Sequence, residues 1–142
     1  MAQVVVAYWS GSGNTEAMAS MVAKGVEAAG GTAKVVAIDD FNASELAHEA
    51  VFALGCPAMG DEVLEETIVE PFVAEVEKFA SGKKIGLFGS YGWGDGEWMR
   101  NWVDQMKNAG AEVLGGEDAI CVESPDDEAE AKLIELGKKL AE

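Results

Sequence analysis

Four small polar side chains, Ser10, Ser12, Asn14 and Thr15, crowd into one short stretch in which Gly11 and Gly13 are interleaved. Hydroxyl and amide donors mixed with glycines, whose backbone N–H groups a ligand can approach closely, are suited to binding an oxyanion. An apolar, β-like segment, Val4-Val5-Val6-Ala7, runs in front of Tyr8 and Trp9. A helical pattern follows, with Ala17, Met18, Met21, Val22, Gly25, Val26 and Ala29 on one side. Strand, small polar turn, helix: this order brings several amides and the positive end of a helix dipole to one point, where a phosphate is favoured. No Gly-Lys-Ser/Thr follows, so there is no cation for a β/γ-phosphate and no basis for nucleoside triphosphate hydrolysis. The third glycine of a dinucleotide fingerprint is replaced by Glu16, whose carboxylate would stand where a pyrophosphate must approach. The remaining reading is a cage for one terminal phosphate monoester. A capped helix start needs only one Ser, Thr or Asn, so capping does not account for the density of donors.

Two further loops carry unusual residues. One reads Gly55-Cys56-Pro57-Ala58-Met59-Gly60-Asp61-Glu62, rich in turn formers but with an apolar Met59 at its tip. The other reads Gly89-Ser90-Tyr91-Gly92-Trp93-Gly94-Asp95-Gly96. Trp93 stands between two glycines with no apolar periodicity around it, which suits a stacking plate for a planar ring better than a core position. With the phosphate cage, these loops describe a ligand with an aromatic head and a phosphate tail.

The elements that must hold these loops alternate along the whole chain. Strands are expected over Gln3–Tyr8, Thr32–Ile38, Ala50–Gly55 and Ile85–Gly89, with a fifth split into Ala111–Leu114 and Ala119–Val122 around Gly115-Gly116. Helices are expected from Asn14 to about Ala29, from Pro71 to Ala80 with Phe72, Val76 and Phe79 on one face, and from Gly96 or Glu97 to Ala109. The last runs from Asp126 to Leu140, and Ser44 to His48 makes at most a short helix. Trp98, Trp102, Val103 and Met106 should face inward. Near-continuous apolar strands separated by helices imply a five-stranded, doubly wound parallel α/β sheet covered on both faces. Ligands of such sheets sit beyond the carboxyl ends of the strands, where these loops lie.

Bulk properties narrow the function. A chain of 142 residues, 49% hydrophobic and 25% charged, is expected to fold as a single domain over residues 1–142. No apolar run reaches the length of a membrane span and no signal-peptide pattern opens the chain, so a cytoplasmic location is the default. The net charge of −16 opposes binding to nucleic acid and to anionic membranes, and is compatible with docking to basic proteins. Cys56 and Cys121 lie in apolar runs without metal-ligand spacing and are expected to be buried thiols. His48, the only histidine, has no Ser, Cys or second His spaced to work with it, which leaves no catalytic set. Asp39-Asp40 resembles an acidic phospho-acceptor pair, but the aspartate wanted at the end of strand three is replaced by Gly55-Cys56.

At these residues the chain resembles the flavodoxin family. Trp9–Thr15, Gly55–Glu62 and Phe88–Asp95 are similar to its three flavin-mononucleotide (FMN) loops, and the absence of a long insertion in the fifth strand resembles its short-chain branch. The resemblance implies the strand order 2-1-3-4-5 and an FMN cofactor; flavodoxin is a standard example of that order. It implies 5′-phosphate binding by Ser10, Gly11, Ser12, Gly13, Asn14 and Thr15, next to Trp9. It places Trp93 on the outer face of the isoalloxazine and Met59 on the inner face. Gly60-Asp61 would meet the flavin N5 edge and Gly92 with its neighbours the pyrimidine edge. Pro57, Ala58, Glu62, Ser90, Tyr91, Gly94, Asp95 and Glu123 would line the remainder. Pro57 and Glu123 depart from the family pattern, in which serine and asparagine can occur. The function implied is a low-potential one-electron carrier, not an enzyme. It would cycle mainly between neutral semiquinone and hydroquinone, and would act as a monomer in transient complexes with basic redox proteins. On this reading the Gly60 carbonyl accepts a hydrogen bond from N5–H of the semiquinone, while Asp61, Glu62, Asp95 and the overall charge oppose the anionic hydroquinone. The alternatives are a small FMN-dependent reductase or a flavin-domain fragment of a larger enzyme, and a flavin storage or sensing module.

Overall fold

In a computed structural model, which describes residues 3–9, 13–58, 65–92 and 96–141, the five strands form one parallel sheet in the order β2-β1-β3-β4-β5. The strands are β1 (Gln3–Tyr8), β2 (Thr32–Ala37), β3 (Val51–Gly55), β4 (Lys84–Tyr91) and β5 (Glu112–Val122). The helices are α1 (Asn14–Ala28), α2 (Val69–Glu77), α3 (Glu97–Asn108) and α4 (Asp127–Leu140), and two 3₁₀ segments cover Ile38–Asp40 and Ala43–His48. The chain reverses its direction of travel across the sheet between β2 and β3, so β1 and β3 are neighbours and the switch point lies between their carboxyl ends.

The strict alternation of a strand divides the core in two. Val5, Ala7, Phe52, Leu54, Ile85 and Leu87 face one side, with Phe72, Val73 and Val76 of α2 and Trp98, Trp102 and Met106 of α3. Val4, Val6, Ala53 and Phe88 face the other, with Met18, Val22 and Val26 of α1 and Leu133, Leu136 and Leu140 of α4. On the second side the helices touch through their backbones. A Cβ on Gly25 would lie 2.0 Å from the Ile134 carbonyl oxygen, and one on Gly137 would lie 2.1 Å from that of Val22. Two glycines facing each other let α1 and α4 approach more closely than any pair of larger residues allows.

The structure departs from the sequence reading at several places. β2 stops at Ala37 because Ile38–Asp40 close a 3₁₀ turn, confirmed by the Phe41 amide donating to the Ile38 carbonyl at 3.2 Å. α2 begins at Val69, so Pro71 lies inside the first turn rather than opening it, and Phe79 falls beyond the helix end. Val103 is only partly buried, while Met99 joins the inward face of α3. The fifth strand is one element, Glu112–Val122, but its ladder is irregular where a split was expected. β4 advances from Leu87 to Gly89 while β5 advances from Gly115 to Ile120. Gly115 and Gly116 take φ of +76° and +71°, a region that residues with a Cβ avoid.

Candidate functional site

The carboxyl ends of β1, β3, β4 and β5 form one rim. Tyr8 pairs with Gly55, Gly55 with Phe88, and Tyr91 with Val122. The pairing continues past the strand ends, where the Trp9 amide donates to the Gly55 carbonyl at 2.9 Å and the Ala58 amide to Ser90 at 2.9 Å. The Glu123 amide donates to Tyr91 at 2.8 Å. β4 therefore runs to Tyr91, and Ser90 and Tyr91, expected in a loop, are strand residues. Their pairing with Cys121 and Val122 explains the difference, because a ladder is made by a neighbour and not by local propensity.

α1 aims its N-terminus at this rim. Gly13 precedes it with φ +94°, and the first intrahelical bond runs from the Ala17 amide to the Gly13 carbonyl at 3.1 Å. Amides in a helix's first turn have no acceptor within the helix and point forward. Thr15 and Ser90, 1% and 3% exposed, bring their hydroxyls to 3.4 Å of each other beside this helix end. That separation is long for an O–H···O bond, so both hydroxyls retain capacity for a third group. Glu16 is drawn aside by the Tyr8 hydroxyl, which donates to its carboxylate at 3.1 Å. Partial burial, with the hydrogen bond and charge of Glu16, holds the Tyr8 phenol above its ordinary value, so it remains a donor. Forward-pointing amides and two buried hydroxyls suit a compact anion such as a phosphate monoester. None of the ten Lys and Arg lies in the three loops, so a pyrophosphate would find no counter-charge there.

The segment after β3 is tied at both ends. The Trp98 indole donates from Nε1 to the Cys56 carbonyl at 3.2 Å, and the Cys56 amide donates to Phe88 at 3.2 Å. This contact depends on Gly89, where a Cβ would lie 2.1 Å from the Cys56 carbonyl oxygen and 3.1 Å from the indole. Tyr91 packs on Trp98 with ring centroids 5.4 Å apart and planes tilted by 47°. Burial pushes the Cys56 thiol up to about 12, so it remains a neutral thiol at physiological pH. At the other end the buried Glu65 carboxylate accepts from the Thr67 amide (3.1 Å), the Thr67 hydroxyl, and the Ile68 (2.6 Å) and Val69 (3.1 Å) amides. Burial alone would raise its pKa, but these bonds outweigh it and hold the carboxyl below its ordinary value. The sequence reading missed Glu65, since it began the helix at Pro71; an acidic residue just ahead of Thr67-Ile68-Val69 was the available signal.

At the end of β5, Glu123 takes φ +57°, the one non-glycine at positive φ among the described residues. Asparagine tolerates this conformation far better than glutamate. The Ser124 hydroxyl donates to the Asn14 side chain at 3.4 Å, linking this end to α1. Cys121 is only partly buried, which corrects the expectation of two fully buried thiols, and its pKa rises to about 11.

Of the residues singled out in the sequence, the structure brings Trp9, Gly13, Asn14, Thr15, Pro57, Ala58, Ser90, Tyr91, Gly92 and Glu123 to this one rim. Ser10, Gly11, Ser12, Met59, Gly60, Asp61, Glu62, Trp93, Gly94 and Asp95 lie outside the described residues. Trp98 and Trp102 are core residues, 1% exposed each, as expected. Among the described residues no cluster of His, Cys, Asp and Glu could hold a metal ion. No helix among them is long and apolar enough to cross a membrane.

The profile of the Flavodoxin family matches residues 6–136. The chain is 49% identical over 136 residues to a flavodoxin of Clostridium beijerinckii, covering 96% of this chain and 97% of the relative. It is 49% identical over 138 residues to a flavodoxin of Megasphaera elsdenii, covering 97% and 98%. The solution structure of two-electron reduced Megasphaera elsdenii flavodoxin superposes with a TM-score of 0.86 at 46% identity, over 97% of this chain and 98% of that one. Family profile, near-full-length relatives and fold agree: the chain belongs to the flavodoxin family, whose members bind FMN and transfer electrons.

Proposed function

We propose that residues 1–142 act as a single FMN domain that carries one electron at a time at low potential between other redox proteins, without substrate turnover of its own. The observation that carries this reading is the pair of buried hydroxyls, Thr15 and Ser90, converging beside the N-terminus of α1 at the switch point of the sheet. When bound, FMN supplies one-electron exchange between the two more reduced of its three oxidation levels.

The chain's own residues supply position and field. Amides of the first turn of α1 and the hydroxyls of Thr15 and Ser90 hold the phosphate, together with Ser10, Gly11, Ser12, Gly13 and Asn14. Met59 and Trp93 would enclose the ring, with Trp9, Pro57, Ala58, Tyr91 and Gly94 around it. The Gly60-Asp61 backbone would meet the N5 edge, where a glycine allows the peptide plane to turn. Gly92 with its neighbours takes the pyrimidine edge, with Glu123 beside it. Asp61, Glu62 and Asp95 lay negative charge around the flavin, which lowers the potential of the second electron. The surplus of 26 acids over 10 bases favours brief, salt-sensitive encounters of the monomer with basic partners in the cytoplasm.

Titration of FMN into the apoprotein, then stepwise dithionite reduction under absorbance, tests the proposal. The expected result is stoichiometric binding and a long-wavelength absorption band at intermediate reduction. Oxidation of NADH or NADPH by the purified protein alone would instead establish a reductase.

A further inference from the structure

Trp98 and Trp102 stand about one turn apart on α3 and are buried alike, each 1% exposed. Their N–H groups differ. The Trp102 Nε1 has no hydrogen-bond partner among the described residues. The Trp98 Nε1 donates to the Cys56 carbonyl at 3.2 Å, across 42 residues of chain. A tryptophan that only fills the core does not require such a bond, as its neighbour shows. The bond reaches the residue just beyond β3, where the chain leaves the sheet for Pro57 and Ala58. The same indole packs on the ring of Tyr91, the last residue of β4, with centroids 5.4 Å apart.

One side chain of α3 therefore holds the ends of two neighbouring strands. Beyond the last paired residues, Gly55 and Phe88, the backbone ties these ends through the Ala58 amide and the Ser90 carbonyl at 2.9 Å. A single bond of that kind fixes a distance but leaves rotation about it free. The contacts of the indole with Cys56 and Tyr91 add a second fixed point on each strand end, and two points fix the angle. Gly89 makes the junction possible, since a Cβ there would lie 2.1 Å from the Cys56 carbonyl oxygen and 3.1 Å from the indole. In the FMN reading, Pro57, Ala58 and Tyr91 lie around the ring and Gly92 at its pyrimidine edge. We propose that Trp98 is a positioning residue for the flavin: by holding the Cys56 carbonyl and the Tyr91 ring together, it presets the spacing of the β3 and β4 ends against which the isoalloxazine lies. This rests on the reading of the chain as an FMN carrier.

Trp98→Phe keeps an aromatic ring in the core but removes the N–H, leaving the Cys56 carbonyl without that donor. Apoprotein carrying it would be titrated with FMN and with riboflavin, which has the ring but no phosphate. Both affinities are expected to fall about tenfold, because binding must now restore the spacing that the indole had preset. Their ratio should not change, since the phosphate end is untouched. The midpoint of the first one-electron step should shift by about 59 mV for each tenfold by which the two oxidation levels are weakened unequally. Trp102→Phe is the matched control: it should unfold more easily yet keep both affinities. Wild-type affinities and potential in Trp98→Phe would reduce Trp98 to a core residue and overturn the proposal. An equal fall in both variants would reduce the effect to general loosening, and a fall confined to FMN would move it to the phosphate end; either is equally fatal. If Trp98→Phe does not fold, wild-type protein labelled with ¹⁵N-tryptophan decides. The Trp98 indole N–H should resist hydrogen exchange in the apoprotein as it does with FMN bound. An indole that exchanges freely until FMN is added would show that nothing is preset. Failure of the wild-type chain to bind FMN at all would overturn the parent reading, and this proposal with it.

Discussion

Replacing Gly25 by alanine sets two effects of opposite sign against each other. In an exposed helix interior, Gly→Ala stabilises by about 0.8–1.0 kcal/mol. Here the new methyl would sit 2.0 Å from the Ile134 carbonyl oxygen, 2.8 Å from its carbonyl carbon and 2.9 Å from its Cα. Carbon and carbonyl oxygen rest at about 3.3 Å or more, so α1 and α4 must part locally by about 1 Å. The obstacle is backbone, and no rotamer change relieves it. Val22, Val26 and Leu133, all fully buried at this contact, would lose close packing. At about 2 kcal/mol each, with a quarter to a half forfeited over a gap of that size, the loss is roughly 1.5–3 kcal/mol. After the propensity gain the net is a destabilisation of about 0.5–2 kcal/mol, read by urea unfolding of the apoprotein. Gly137→Ala meets the Val22 carbonyl oxygen at 2.1 Å and the Val26 amide nitrogen at 2.7 Å, and should behave alike. The double variant should cost less than the sum, since the first methyl already opens the gap. A Gly25→Ala protein about 1 kcal/mol more stable than wild type would refute the close contact as the reason for glycine.

Glu123→Asn should stabilise the fold by roughly 0.5–1 kcal/mol in thermal unfolding, because φ +57° penalises glutamate. The Glu65 carboxyl is held below its ordinary 4.5, so its contribution is complete above that pH and declines as pH falls through the lower folded value. Hydrogen exchange at Ile68 and Val69 should accelerate in that acid range, and Glu65→Gln should abolish the pH dependence. Burial raises Cys56 from 9.0 to about 12, so the folded state keeps a proton that the unfolded chain releases. Stability should therefore fall between pH 9 and 12, by up to about 1.4 kcal/mol per pH unit; iodoacetamide at pH 8 should label partly exposed Cys121 well before Cys56. Neutralising Asp61, Glu62 and Asp95 in turn should raise the second one-electron potential stepwise. One charge at about 10 Å is worth roughly 0.8–1.7 kcal/mol, or tens of millivolts, and a flat response would assign the potential to ring stacking instead.

Much of the architecture was legible from local chemistry. The strand and helix order follows from short, near-continuous apolar runs alternating with runs of period 3.6, and α4 starts where Asp126 caps it, its carboxylate accepting from the Ala129 amide at 2.8 Å. The phosphate-binding character of Ser10–Thr15 follows from donor density next to a helix start, all of it local in the chain. Other features were not local. Ser90 joins Thr15 across 75 residues only because β4 runs beside β1's neighbour and extends to Tyr91 against β5. Glu65 looks like one more surface acid among 26, and that it is buried, 9% exposed, is set by the packing around the start of α2 and not by its neighbours in the chain. Gly25 and Gly137 look like weak points in two helices until those helices face each other. Composition and periodicity therefore determined which elements form and what kind of group the first loop could bind. The tertiary structure decided which distant residues share a hydrogen bond, a buried charge or a backbone contact, because those energies depend on separations in space that spacing along the chain does not set.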